Sequence, residues 1–106
     1  STWYLYLIEN KLGQLYTGIT TSPERRISQH RGDIAGGARA LKGKGPLQFR
    51  AIFLIGDRST ASKVEYKVKQ LSKEKKRAIV KQKVLPESLC IALCDNSRYI
   101  CPSNYQ

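Results

Sequence analysis

Between Leu15 and Gly32 the chain passes from strand to helix within three residues, and this limits what the rest can build. Leu15-Tyr16-Thr17-Gly18-Ile19-Thr20 places β-favouring Tyr and Thr between apolar residues, the pattern of a short strand. Ser22-Pro23-Glu24 reads as a helix start: a capping hydroxyl, a proline with φ preset for the first turn, and an acid near the positive end of the helix dipole. The helix should end near Gly32. Arg26 and His30 are four residues apart, so they project from one face on successive turns. With Tyr16 on the preceding strand, a phenol, a guanidinium and an imidazole can meet at one seam. That set suits attack on a phosphate: the phenol handles a proton, the guanidinium forks onto phosphate oxygens, and the imidazole adds a hydrogen bond. Each residue also has an ordinary use, as half-buried packing, solvated charge or structural imidazole, and spacing alone does not choose.

The flanking chain supplies the remaining elements. Trp3-Tyr4-Leu5-Tyr6-Leu7-Ile8 is aromatic and apolar enough for a strand, and Glu9 to Gln14 carries hairpin-turn residues, so the first two strands should be antiparallel. Residues 32–46 are rich in glycine, with a helical turn or two expected from Ile34 to Leu41. Leu47 to Ile55 reads as a third strand, and its apolar run from Ala51 suggests burial on both faces and a central place in the sheet. Ser59 is a candidate cap for a helix with Ala61, Val64, Val68 and Leu71 on one stripe. Ser72 looks like a new cap. A short basic helix from Lys75 to Lys83 should turn Ala78, Ile79 and Val80 inward and end before Pro86. From there to the end the chain reads as a loosely packed appendage with a helical turn between Ser88 and Cys94.

The chain has 106 residues, enough for one domain, and no apolar run of membrane-spanning length. No signal peptide is visible, and a cytoplasmic location is expected. The net charge is +11, and the basic excess lies between residues 23 and 83. A polyanion, most simply nucleic acid, is the natural partner. Cys90, Cys94 and Cys101 match no zinc spacing, and the single His is far from them, so free thiols are expected. No cofactor motif is present. Glu65 stands among Lys63, Lys67 and Lys69 beside the apolar stripe. It reads either as an i,i+4 partner of Lys69 or as a metal ligand aimed at the first helix.

Taken in order, Tyr4-Leu5-Tyr6, Tyr16-Thr17-Gly18, Arg26, His30 and Glu65 resemble the signature of the GIY-YIG nuclease superfamily, and its small free-standing bacterial members in particular. The resemblance covers about residues 3–82. The first motif falls on Tyr4-Leu5-Tyr6 with Tyr6 at its tyrosine; its glycine and isoleucine are replaced. The second falls on Tyr16-Thr17-Gly18, the arginine on Arg26, the helical histidine on His30 and the metal-binding glutamate on Glu65. An asparagine that many members carry after the glutamate helix is missing from Ile79-Val80-Lys81-Gln82.

The resemblance implies an α+β fold, a small three-stranded antiparallel sheet flanked by helices, with residues 1–83 as the nuclease-like domain and 84–106 as a C-terminal tail. It implies a DNA endonuclease, of the structure-specific kind linked to repair or recombination, using Mg²⁺ (or Mn²⁺). Glu65 would hold the metal against the leaving 3′ oxygen, and Arg26 would brace the scissile phosphate. Tyr6 or Tyr16, as a tyrosinate, would take the proton of the attacking water, with Arg26 and the metal lowering its pKa. His30 would bond that tyrosine or the phosphate. Arg25, Arg39, Lys42, Lys44 and Lys69 are the expected contacts to the DNA backbone. The alternative is a non-catalytic DNA- or RNA-binding protein that keeps the fold. DNA is the expected partner ahead of RNA, and monomer and weak dimer both stay open.

Overall fold

The computed structural model describes residues 1–33, 35–37, 45–89 and 98–105. Strands β1 (Trp3–Glu9) and β2 (Leu15–Thr20) form an antiparallel hairpin in which Tyr6 faces Gly18 and Ile8 faces Tyr16. Asn10 organises the turn. Its Oδ1 accepts from the backbone N–H groups of Leu12 (2.9 Å) and Gln14 (3.0 Å), and Gly13 supplies the positive φ of 77° that closes it.

Helix α1 (Pro23–Arg31) starts where its sequence indicates: Ser22 Oγ accepts from Arg25 N–H at 3.3 Å, and Pro23 holds the first turn. It ends on Gly32, whose left-handed φ of 88° lets its N–H reach Gln29 O. Strand β3 (Gln48–Gly56) pairs antiparallel with β1, and β4 (Arg98–Ile100) pairs antiparallel with β3. The sheet order is therefore β2-β1-β3-β4, with four strands rather than the three expected. The fourth strand was hidden because three residues are too few to show an alternating pattern. What holds it is long-range: Tyr99 meets Phe53 edge-on at 5.5 Å, and beyond it a 3-10 turn (Pro102–Tyr105) sets Tyr105 edge-on to Phe49 at 6.2 Å.

Helix α2 (Arg58–Lys69) is capped by Asp57, whose Oδ1 accepts from Thr60 N–H at 2.7 Å, and not by Ser59. The carboxylate two residues earlier takes the orphan donor first and adds favourable charge at the helix start. Helix α3 (Lys73–Gln82) begins under its expected cap Ser72, two residues before the expected start. Of its three expected inward residues only Ile79 is fully buried.

The sheet separates two cores. Leu5, Leu7, Ala51, Phe53 and Ile55 pack against Ala61, Val64 and Val68 of α2 and Ile79 of α3. On the opposite face Tyr6, Ile8, Phe49 and Ile52 pack against Ile27 of α1. Strand β3 thus carries buried side chains to both faces, as its apolar run suggests. At the far end of β1, Glu9 binds Arg50 at 2.8 Å and Arg77 at 3.3 Å, tying β3 and α3 to the hairpin. The Arg50 hydrogen bond is the main reason its carboxyl titrates below the ordinary range. Among the described residues no helix is long and apolar enough to cross a membrane.

Candidate active site

The alternation of β1 turns Tyr6 away from Leu5 and Leu7, onto the α1 face of the sheet. There its ring lies against Phe49 (5.5 Å, edge-on), and its hydroxyl meets His30 Nε2 at 2.8 Å. Arg26, one turn earlier on α1, donates from Nε to the same hydroxyl at 3.4 Å. Tyr16 comes from β2 and meets the His30 ring edge-on at 5.6 Å. The structure therefore brings Tyr6, Tyr16, Arg26 and His30 to one seam.

Gly18 is what makes room. A Cβ at this position would collide with the Tyr6 hydroxyl and the ring carbon that bears it. The phenol can lie flat across β2 only because that residue has no side chain. Gly18→Ala should push Tyr6 off its position and cost about 1–3 kcal/mol of stability, as for other overpacked sites. A thermal melt unchanged from the parent would contradict this.

Burial governs the protons. Tyr6 is 1% exposed and His30 3% exposed. Desolvation pushes the Tyr6 phenol up to about 12; Arg26 pulls it down through its hydrogen bond and charge, and Tyr16 and Glu65 push it further up. The expected lowering of a tyrosine pKa by Arg26 is therefore outweighed at Tyr6. Burial first, and then the Arg26 charge, lower His30 to about 4. At neutral pH the pair is a protonated phenol against a neutral imidazole, and the imidazole tautomer sets which of the two donates.

Arg26 is held by contacts that strand and helix patterns do not show. Its Nη1 donates to Gln29 Oε1 and to the Gly36 carbonyl, each at 2.8 Å. Gln29 stands three residues on, one turn along the helix, and that spacing was a readable signal. With Nε on Tyr6 and Nη1 on these two oxygens, the Nη2 amine has no partner among the described residues and can meet a ligand.

Glu65 lies on α2, which packs against the sheet face opposite α1. It pairs with Lys69 at 3.4 Å, the i,i+4 contact its spacing suggests, worth about 0.3–0.5 kcal/mol. Its carboxylate also lies close enough to raise the proton affinity of Tyr6. Among the described residues no group of three or more His, Cys, Asp or Glu gathers as a metal cage. Arg25 is exposed on α1, and Lys69 is engaged with Glu65. Arg39, Lys42, Lys44, Cys90 and Cys94 lie outside the described residues, as do the helical turns expected in residues 34–41 and 88–94, apart from 35–37 and 88–89. Cys101 is a free, exposed thiol.

The chain thus combines an antiparallel sheet and flanking helices with a Tyr–His–Arg cluster over a strand glycine. Residues 2–78 match the model of the GIY-YIG catalytic domain, and the chain belongs to that family. It is similar to UPF0213 proteins: one from Pectobacterium carotovorum is 49% identical over 90 residues, covering 85% of this chain and 87% of that one. Another, from Photorhabdus laumondii, is 50% identical over 90 residues, covering 85% and 81%. The solution structure of a UPF0213 protein from Bacillus halodurans is 36% identical, with a TM-score of 0.52, and covers 88% of this chain and 97% of that one.

Proposed function

We propose that the protein is a metal-dependent endonuclease that hydrolyses DNA phosphodiester bonds at the Tyr6–His30–Arg26 seam. The observation that carries this reading is the buried hydrogen bond between the Tyr6 hydroxyl and His30 Nε2, made by two groups that are both neutral at working pH. A buried phenol near 12 does not work as a free phenolate. With the imidazole proton on Nδ1 and Nε2 open, it works as a relay: as the attacking water gives its proton to the Tyr6 oxygen, Tyr6 passes its own proton to His30 Nε2, and no isolated phenolate forms. Arg26, already locked on one side by Gln29 and Gly36, presents Nη2 to the phosphate oxygens and stabilises the charge that grows there. Tyr16, half-buried against the His30 ring, orients the imidazole.

Glu65 suits a small divalent ion, Mg²⁺ or Mn²⁺, as its one protein carboxylate, since such ions are commonly held by one or two carboxylates together with substrate phosphate. The support for this reading is that the Glu65 charge is felt at Tyr6, where it raises the phenol's proton affinity. When bound, the ion supplies Lewis-acid stabilisation of the leaving 3′ oxygen.

The test is incubation of the purified protein with linear, flapped and branched DNA in Mg²⁺ and in EDTA. Nicking in Mg²⁺ alone is expected; a folded protein that cuts none of them would favour the non-catalytic binding role. Binding should depend steeply on salt, because the charge is +11. If about five phosphates are neutralised, log K against log salt should slope near −4 to −5. A flat response would remove the polyanion partner.

A further inference from the structure

Helix α2 turns Ala61, Val64 and Val68 into the core and Tyr66 out to solvent. At about 100° per residue, Tyr66 stands nearly opposite the buried stripe. It is 68% exposed, the most exposed large hydrophobic side chain among the described residues. A single surface tyrosine needs no explanation by itself. Its neighbours on the helix give it one. Lys63 and Lys69 flank it three residues before and after, Gln70 stands four residues on, and all three are exposed. Round the helix axis from the edge of the buried stripe, Glu65, Lys69, Tyr66, Gln70 and Lys63 follow in that order. The Glu65 charge is felt at the Tyr6 hydroxyl, so this run begins within electrostatic range of the seam. It passes outward over one cation to an exposed ring, with a second cation beyond.

An aromatic ring between cations suits a single strand of nucleic acid, in which bases stack on the ring and phosphates meet the lysines. A paired base has its faces covered by its neighbours in the duplex; an unpaired base has one to offer. The path points the same way. Helix α2 packs on the sheet face opposite α1, so DNA held at Arg26 must turn to reach Tyr66. A duplex is stiff over about 150 base pairs, whereas a single strand can follow the turn. The Lys69–Glu65 pair, at 3.4 Å between partly exposed groups, is weak enough for a phosphate to share the lysine. A second copy of the chain fits poorly, since each copy carries +11.

We propose that the outer face of α2 binds an unpaired stretch of the nucleic-acid substrate, with a base against Tyr66 and the adjoining phosphates on Lys63 and Lys69. The proposal rests on the nuclease reading of the seam and narrows its substrate to DNA with a single-stranded segment near the bond that is cut. Stacking of this kind tolerates any sequence, because every base has a π-face.

The test compares three end-labelled DNAs by anisotropy in EDTA, where no cleavage is expected: a blunt duplex, the duplex with a flap of about ten thymidines, and the same with an abasic flap. Tyr66→Ala should bind the thymidine flap about tenfold more weakly than the parent and the other two DNAs nearly as the parent does. Tyr66→Trp keeps a ring and should bind the thymidine flap as the parent does. A melt checks that each variant is folded. Tyr66→Ala binding the thymidine flap like the parent, equal weakening on all three DNAs, or Tyr66→Trp as weak as Tyr66→Ala would each overturn the surface and leave the nuclease reading intact. A parent protein that binds none of the three would overturn both.

Discussion

Glu65→Gln should abolish Mg²⁺-dependent cleavage while DNA binding in EDTA holds or improves slightly. The substitution keeps the shape of the side chain and removes the charge that a hard cation requires. It also takes a negative charge away from a surface expected to face phosphate, which is why binding should not weaken. The competing role for Glu65 is structural, the 3.4 Å pair with Lys69 between two partly exposed side chains. That role predicts a stability loss under about 1 kcal/mol and unchanged cleavage. Cleavage, EDTA binding and a melt measured on one purified variant separate the two. A folded Glu65→Gln protein that cuts at the parent rate would reject the metal position.

Tyr6→Phe should lower cleavage by about 10²–10⁴-fold, the usual range for losing a proton-transfer group. The ring stays packed on Phe49, so the fold should survive. The hydroxyl that both His30 Nε2 and Arg26 Nε meet is lost, at a stability cost of about 1–3 kcal/mol. Tyr16→Phe should cost much less activity, because Tyr16 meets His30 through its ring edge, which phenylalanine retains. If both variants cut at the parent rate, neither hydroxyl takes part. If Tyr16→Phe is the more damaged, the relay has been assigned to the wrong strand.

Local signals were legible in the sequence. Ser22, Pro23 and Gly32 act within one turn of themselves, and they bound α1 as written. The four-residue spacing of Arg26 and His30 puts both on one face, but the hydroxyl they meet is that of Tyr6. Tyr16, the phenol the local pattern pointed to, meets His30 through its ring. What was not legible depends on distant partners. Strand β4 exists because Tyr99 and Tyr105 find Phe53 and Phe49 across the sheet, and three residues leave no periodic trace. Asp57 and Ser59 compete as caps two residues apart, and only the backbone geometry decides. The Tyr6 proton was the largest difference. Its neighbours in the motif suggest cations and a lowered pKa, but α1, Phe49 and Ile52 bury it, and desolvation outweighs Arg26. Gly18 reads as a motif letter; the structure shows it to be the space the Tyr6 hydroxyl occupies.

The proton relay is tested most directly by the single-turnover cleavage rate of the parent protein between pH 6 and pH 9. His30 lowered to about 4 is neutral throughout that range, and Tyr6 raised to about 12 stays protonated throughout it. Donor and acceptor therefore keep their states, and the rate should be nearly flat, falling only as the pH drops toward 4 and His30 gains a proton. A rate that climbs about tenfold per pH unit toward pH 9 would mean that a growing fraction of free phenolate does the work, and it would contradict the relay.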